Sequence, residues 1–177
     1  MAVGFVNQLF KVFLALNSTF WVVVVFGIKE EWTISPLPSW VFGIFLLIAP
    51  VIMSIISILL TLLLDKDTLN DCGKVEEVNS SFLPIYLGYF FVGLGVGELQ
   101  HLVFIYFIIF AFTYVAQAQY FNPMFLLFGY HFYNAETSGG TKIFLITKEN
   151  LRRASEAKFS NLRRINNTTY IAWRENK

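Results

Sequence analysis

Polar residues interrupt this chain in few places, and those interruptions divide it. Residues 10–28 are hydrophobic apart from Lys11 and the triplet Asn17, Ser18 and Thr19 in the middle. A short polar stretch with Pro36 and Pro38 follows, and residues 40–64 are then 25 positions without a charge, with Pro50 among them. As a helix rising 1.5 Å per residue, that run is about 37 Å long, more than the roughly 30 Å hydrocarbon core of a bilayer. Residues 82–115 are 34 positions whose only charge is Glu98. That is too long for one ordinary span, so the pattern predicts two short helices, 82–97 and 99–116, joined by a tight turn. The first run exceeds the apolar region of a secretory signal and lacks a small-x-small cleavage site, so it reads as a retained helix. Four membrane spans result, at 10–28, 40–64, 82–97 and 99–116.

The pattern changes after Gln117 and Gln119. Asn122-Pro123 is a turn dipeptide. Residues 124–133 are apolar and aromatic but too few to cross a bilayer. With Gly139-Gly140 and the β-prone run 141–147 they predict a hairpin. Residues 149–157 read as a short helix, 162–165 as a strand, Asn166-Asn167 as a turn and 168–173 as a last strand. The fold class predicted is a membrane all-α bundle of four transmembrane helices, residues 1–121, followed by a small cytoplasmic α+β domain, mostly β hairpin, at 122–177. A domain of about 50 residues supports only a few kcal/mol of stability on its own core. It needs the helices, another copy of the chain or a partner.

Composition agrees: the 177 residues are 56% hydrophobic and 14% charged, against about 25% charged in a typical soluble domain. The single cysteine, Cys72, excludes an intramolecular disulfide and a cysteine-based metal site. Charge sets the orientation. With four spans, Lys11, Lys66, Lys74 and the nine basic residues of the tail share one side, and Lys29 alone lies on the other. By the positive-inside rule both termini are cytoplasmic. Residues 65–79 carry two lysines against Asp65, Asp67, Asp71, Glu76 and Glu77, a net −3, and read as a solvated connector or an acidic docking loop. The tail from 122 carries nine basic and four acidic residues, a net +5.

Candidate residues follow from this layout. Glu98, Gln100 and His101, with Trp32, face outward and form a candidate sensing surface, since ionisable groups at membrane depth are costly and histidine titrates near neutral pH. One histidine and one carboxylate are too few for a metal site, and no metal is expected. Gly93 and Gly97 form a Gly-x-x-x-Gly suited to helix packing or an oligomer interface, and Asn17 suits a hydrogen bond between helices. Arg152, Arg153, Lys158, Arg163 and Arg164 are candidates for contact with a protein partner or with lipid headgroups. The tail has no nucleic-acid fold signature, so direct nucleic-acid binding is not expected. His131 reads as structural. No nucleophile–base set or phosphate loop appears, which predicts a non-enzyme without cofactors.

Phe121-Asn122-Pro123, the run Leu126, Leu127, Phe128, Gly129, Tyr130, His131, Phe132, Tyr133, then Gly140 and Ile143 to Thr147, together with the four-span layout, carry a resemblance. The chain resembles the KwaA-like membrane subunits of bacterial Kiwa anti-phage defence systems. The resemblance implies an inner-membrane sensor of phage attack. It implies a homo-oligomer, with a tetramer as the expected stoichiometry, that holds a cytosolic DNA-binding effector on its cytoplasmic side. It supplies no catalytic residues. The function expected is therefore a sensor and scaffold that detects envelope perturbation and recruits or regulates that effector. The alternative is a small oligomeric channel or pore-forming effector, which needs a continuous polar stripe. A multidrug-type transporter would need a membrane-embedded carboxylate, and Glu98 in a turn is a poor one.

Overall fold

The computed structural model describes residues 2–69, 71–116 and 122–173. It contains α1 (Ala2–Lys29), α2 (Ser39–Leu60, continued by a 3-10 turn over Thr61–Leu63), β1 (Lys66–Leu69), β2 (Lys74–Glu77), α3 (Leu83–Gly95) and α4 (Leu99–Ala116). Then come α5 (Pro123–Leu127), β3 (His131–Glu136), β4 (Lys142–Thr147), a 3-10 turn at Ala154–Glu156, β5 (Phe159–Arg164) and β6 (Thr169–Ala172). Two compact units result: one of residues 11–57 and 81–124, the other of 1–10, 58–80 and 125–177.

In the helical unit α1 is the most enclosed helix, with Leu14, Ala15, Val22, Val24 and Phe26 nearly inaccessible. Val22 and Phe26 share a core with Tyr86 and Tyr89 of α3 and Leu102 of α4. Beyond Gln100 and His101 the exposed side of α4 is apolar, and its Val103, Phe104, Phe107, Ile108, Phe112 and Val115 are more than half exposed. Three helices are long and apolar enough to cross a bilayer: Asn7–Lys29, Ser39–Leu63 and Leu99–Ala116. The expected span 82–97 is shorter than predicted. α3 has 13 residues, about 20 Å of helix against a hydrocarbon core of roughly 30 Å. It ends at Gly95 because Val96 adopts an extended conformation. α4 starts at Leu99, where the sequence placed it.

The second unit is a six-stranded mixed sheet in the order β1-β5-β6-β4-β3-β2. β4 and β6 are parallel, and every other pair is antiparallel. One face packs Leu69, Tyr133, Ala135, Ile143, Leu145, Leu151, Phe159 and Leu162 into a core. The other carries Phe132, Ile146 and Ile171, in register across β3, β4 and β6 and fully buried.

The sheet corrects the contiguous division at 121/122. Residues 65–79 are not a bare connector: they form β1 and β2, the two edges of the sheet. Short, charged strands suit edges, where they discourage pairing with other chains. The same polarity hides them from a reading based on hydrophobicity.

Two local predictions also change. Residues 124–133 do not form one strand. Asn122 caps α5, its Oδ1 accepting the Met124 N–H at 3.0 Å, and Pro123 takes the first helical position, where its missing N–H costs nothing. Gly129, at φ 76°, ends the helix. Its N–H returns to the Leu126 carbonyl and that of Tyr130 to Phe125, both at 2.9 Å, a Schellman stop sealed by the Phe125–Tyr130 ring contact. β3 begins only at His131, so the hairpin is His131–Glu136 with Lys142–Thr147.

The helix expected at 149–157 shrinks to Ala154–Glu156. The backbone donors of that stretch go to side chains instead. Glu149 N–H donates to Thr147 Oγ1 at 3.1 Å, Leu151 N–H to Tyr133 OH at 3.1 Å, and Arg152 N–H to Glu156 Oε2 at 2.7 Å. The strands expected at 162–165 and 168–173 are β5 and β6, and the turn at Asn166-Asn167 joins them.

Candidate functional site

The helical unit is organised around the triplet Asn17, Ser18 and Thr19, all completely buried. Successive residues of an α-helix point about 100° apart, so three in a row address three directions. Each meets a different helix. Asn17 Nδ2 donates to Ser54 Oγ of α2 at 2.9 Å and lies 3.5 Å from Ser57 Oγ. Tyr86 OH of α3 donates to Ser18 Oγ at 3.3 Å. Thr19 Oγ1 lies 3.2 Å from Tyr106 OH of α4 and 2.8 Å from the Ala15 carbonyl oxygen. Tyr89 of α3 and Thr113 of α4 close the set at 2.9 Å.

Ser54 is itself a junction. It donates to the Pro50 carbonyl at 2.7 Å, one turn back along α2, and it accepts Asn122 Nδ2 at 3.2 Å. Asn122 is fully buried. One side chain thus caps α5 and holds α2. Among the described residues, Asn17 Oδ1 has no hydrogen-bond partner. The sequence singled out Asn17 for an interhelical bond. The roles of Ser54 and Asn122 went unread, although a polar residue in an apolar run is the signal that marks them.

Gly93 packs where α3 crosses α1. A Cβ there would lie 2.8 Å from Val25 Cβ and 2.9 Å from the Val22 carbonyl oxygen. Gly97 does not join it, because the helix has ended at Gly95 and nothing lies within 4 Å of an added Cβ at 97. The Gly-x-x-x-Gly spacing is therefore not a helical motif here.

The residues expected to face outward do not converge on one site. Glu98 starts α4, and its carbonyl accepts the Leu102 N–H at 3.0 Å. Its carboxylate favours the positive end of the helix dipole and lies 3.7 Å from His101 Nδ1, both groups well exposed. Gln100 is exposed. Trp32 packs instead edge-on to Phe26, with ring centroids 5.6 Å apart, and covers Gly27. Lys29 is better connected than these: its Nζ donates to the Val96 carbonyl at 2.5 Å and pairs with Glu30 at 3.0 Å. It thereby joins the C-terminal ends of α1 and α3.

On the sheet, Arg152, Arg153 and Lys158 are exposed. The backbone N–H groups of Arg152 and Arg153 both donate to Glu156 Oε2, which holds that carboxylate below its ordinary range. Arg164 is tied locally, to the Asn166 carbonyl at 3.2 Å and Asn167 Oδ1 at 3.1 Å. Arg163 points elsewhere, donating from Nη1 to the Leu64 carbonyl at 2.9 Å. The five basic residues therefore do not form one patch with one environment. His131 is half-buried, with Nδ1 3.0 Å from Asn79 Nδ2 and 3.8 Å from Glu77 Oε1. Asn79 Oδ1 also accepts the Phe132 N–H at 2.7 Å, which fits a structural role. Among the described residues, no group of three or more His, Cys, Asp or Glu is placed to hold a metal ion.

Several long apolar helices, three of them long enough to span a bilayer, and a mixed sheet assembled partly from the loop between two of those helices are consistent with a helical membrane protein. The chain belongs to the anti-phage protein KwaA family, whose model matches residues 10–171. Membership implies a part in anti-phage defence, as the resemblance of its tail and spans led one to expect. Neither a curated protein nor a solved structure matches the chain.

Proposed function

We propose that the chain is the inner-membrane sensor and scaffold subunit of an anti-phage defence complex. In this reading α1 to α4 all cross the bilayer and both termini are cytoplasmic. α3 is the short crossing, accommodated by local thinning or by a turn at 96–98 sunk below the surface. Perturbation of the envelope displaces the helices, and the cytoplasmic sheet passes that displacement to a cytosolic DNA-binding effector that it recruits or regulates. The subunit works as a homo-oligomer, with a tetramer as the working stoichiometry. It performs no chemistry, binds no cofactor and makes no nucleic-acid contact of its own.

One observation carries the reading: the sheet receives the chain from three separate helices. Only Leu64 and Asp65 separate the end of α2's 3-10 continuation from β1, β2 leads into α3 through 78–82, and α4 leads on to α5 and β3. A shift of any of those helices is transmitted through covalent backbone to both edge strands, or to β3 beside one of them, in one hydrogen-bonded sheet.

The polar side chains favour the scaffold over the channel. Asn17, Ser18, Thr19, Ser54, Ser57 and Thr61 are all buried within the chain. The exposed face of α4 offers no polar stripe to line a pore.

Affinity purification from native membranes, with mass spectrometry of co-purifying proteins, tests the proposal. A cytosolic protein at stoichiometric yield is the expected result. A homo-oligomer alone, together with ion flux in reconstituted liposomes, would replace the scaffold with the channel.

A further inference from the structure

Within the sheet unit, the end of α2 is fastened by two hydrogen bonds. Trp173 Nε1 donates to Thr61 Oγ1 at 2.9 Å, and Arg163 Nη1 donates to the Leu64 carbonyl at 2.9 Å. Arg163 stands directly across from Lys66 in the antiparallel β1–β5 pair. Cross-strand partners point to one face, and like charges so placed repel each other. Among the described residues neither cation is in an ion pair, and the buried Arg163 Nε has no hydrogen-bond partner. The acids beside Lys66 do not offset this. Asp65 and Asp67 alternate to the opposite face of the strand, and Asp67 Oδ1 is turned onto the Thr68 N–H at 2.8 Å.

Two facing cations without an acidic partner call for an anion, whose charge offsets their repulsion and whose oxygens can accept from both. The surroundings say which. Leu62 and Leu63, one turn before β1, are 45% and 69% exposed. Exposed leucines, an anchored indole and two cations are the composition of a membrane–water interface.

We propose that Lys66 and Arg163 hold the phosphate of an anionic phospholipid at the C-terminal end of α2, with its acyl chains against Leu62 and Leu63. Arg163 supplies a fixed, always-charged guanidinium and Lys66 a mobile charge. A zwitterionic headgroup fits worse, because its own cation would lie near Lys66. The inference rests on the membrane reading above. It makes the lipid a peg that fixes the β1 edge of the sheet where α2 ends.

The test uses the full chain purified in a neutral detergent, mixed with phosphatidylglycerol or with phosphatidylcholine and examined by native mass spectrometry. Phosphatidylglycerol is expected to be retained about 25-fold better, the product of about fivefold from each of two basic residues. K66Q and R163Q should each lower that retention about fivefold, the effect of one basic residue at an anionic surface. K66Q alters an exposed side chain and so reports even if R163Q loosens the fold. The double change R152Q/R153Q, at exposed cations elsewhere, should leave retention unaltered. Equal retention of the two lipids, an equal loss in R152Q/R153Q, or displacement of phosphatidylglycerol by millimolar inorganic phosphate would each overturn the proposal. Alkaline carbonate extraction separates the two levels of the argument. Release of the chain from membranes refutes the membrane reading itself, whereas a retained chain with no lipid preference refutes only the headgroup site.

Discussion

At the scale of single residues, a few polar atoms and one glycine hold the helical unit. Replacing Asn17 with Leu removes the bond to Ser54 and should lower stability by about 0.6–1.7 kcal/mol, the range of such bonds between helices in lipid. Thermal unfolding in detergent measures it. Gly93→Leu should cost more, about 1–3 kcal/mol by overpacking, because its Cβ would meet α1 backbone at the Val22 carbonyl oxygen. Gly97→Ala, with open space around it, should change nothing in the same assay. On the sheet, Glu156 ties the two arginine amides. Its folded pKa is depressed from the ordinary 4.5, so the stability it adds is present above that value and is lost as pH falls through the lower folded pKa. Glu156→Gln should therefore speed hydrogen exchange at the Arg152 and Arg153 amides at neutral pH and flatten its dependence on acid. Unchanged protection of those amides would show that the carboxylate does not order the turn.

At the scale of elements, the stretch after the last long helix is the instructive one. A capping Asn, a Pro at the first helical position and a Gly at the stop are a helix frame. That frame was present at Asn122, Pro123 and Gly129 and was outweighed by the aromatic run between. Gly129→Ala should cost about 1–2 kcal/mol, since any Cβ is strained at its left-handed φ. It should also loosen the start of β3, seen as faster exchange of the Tyr130 amide. The helix expected at 149–157 failed for the converse reason. Local propensity favoured it, but Tyr133 OH and the Glu156 carboxylate claimed its backbone donors.

At the scale of the whole molecule, the proposed relay depends on short, taut connections between helices and strands. A flexible Gly-Ser insertion after Val78 lengthens the path from β2 to α3 and should abolish phage protection while leaving membrane insertion and expression intact. Plaque assays beside membrane fractionation report both. Shortening the 117–123 linker should uncouple the last junction likewise, although Gln117 to Phe121 lie outside the described residues. Full protection in both variants would mean that the junctions carry no signal.

What the sequence determined by itself is what repeats along the chain or has one local cause. Long uncharged runs specified α1, α2 and α4, because an apolar surface of that length has few places to go except lipid. The break beside Glu98 and the hairpin around Gly139-Gly140 were legible for the same local reasons. What the tertiary structure decided is every feature that depends on a partner distant in the chain. Lys66–Leu69 and Lys74–Glu77 are too polar to announce themselves, and they are strands only because β5 and β3 offer unpaired backbone beside them. Of the candidate residues, Asn17 and Gly93 could be read early because a polar or small residue in an apolar helix already needs a neighbour. The pairing of Lys66 with Arg163, almost a hundred positions apart, could not, because register between distant strands is set by packing that no single segment contains.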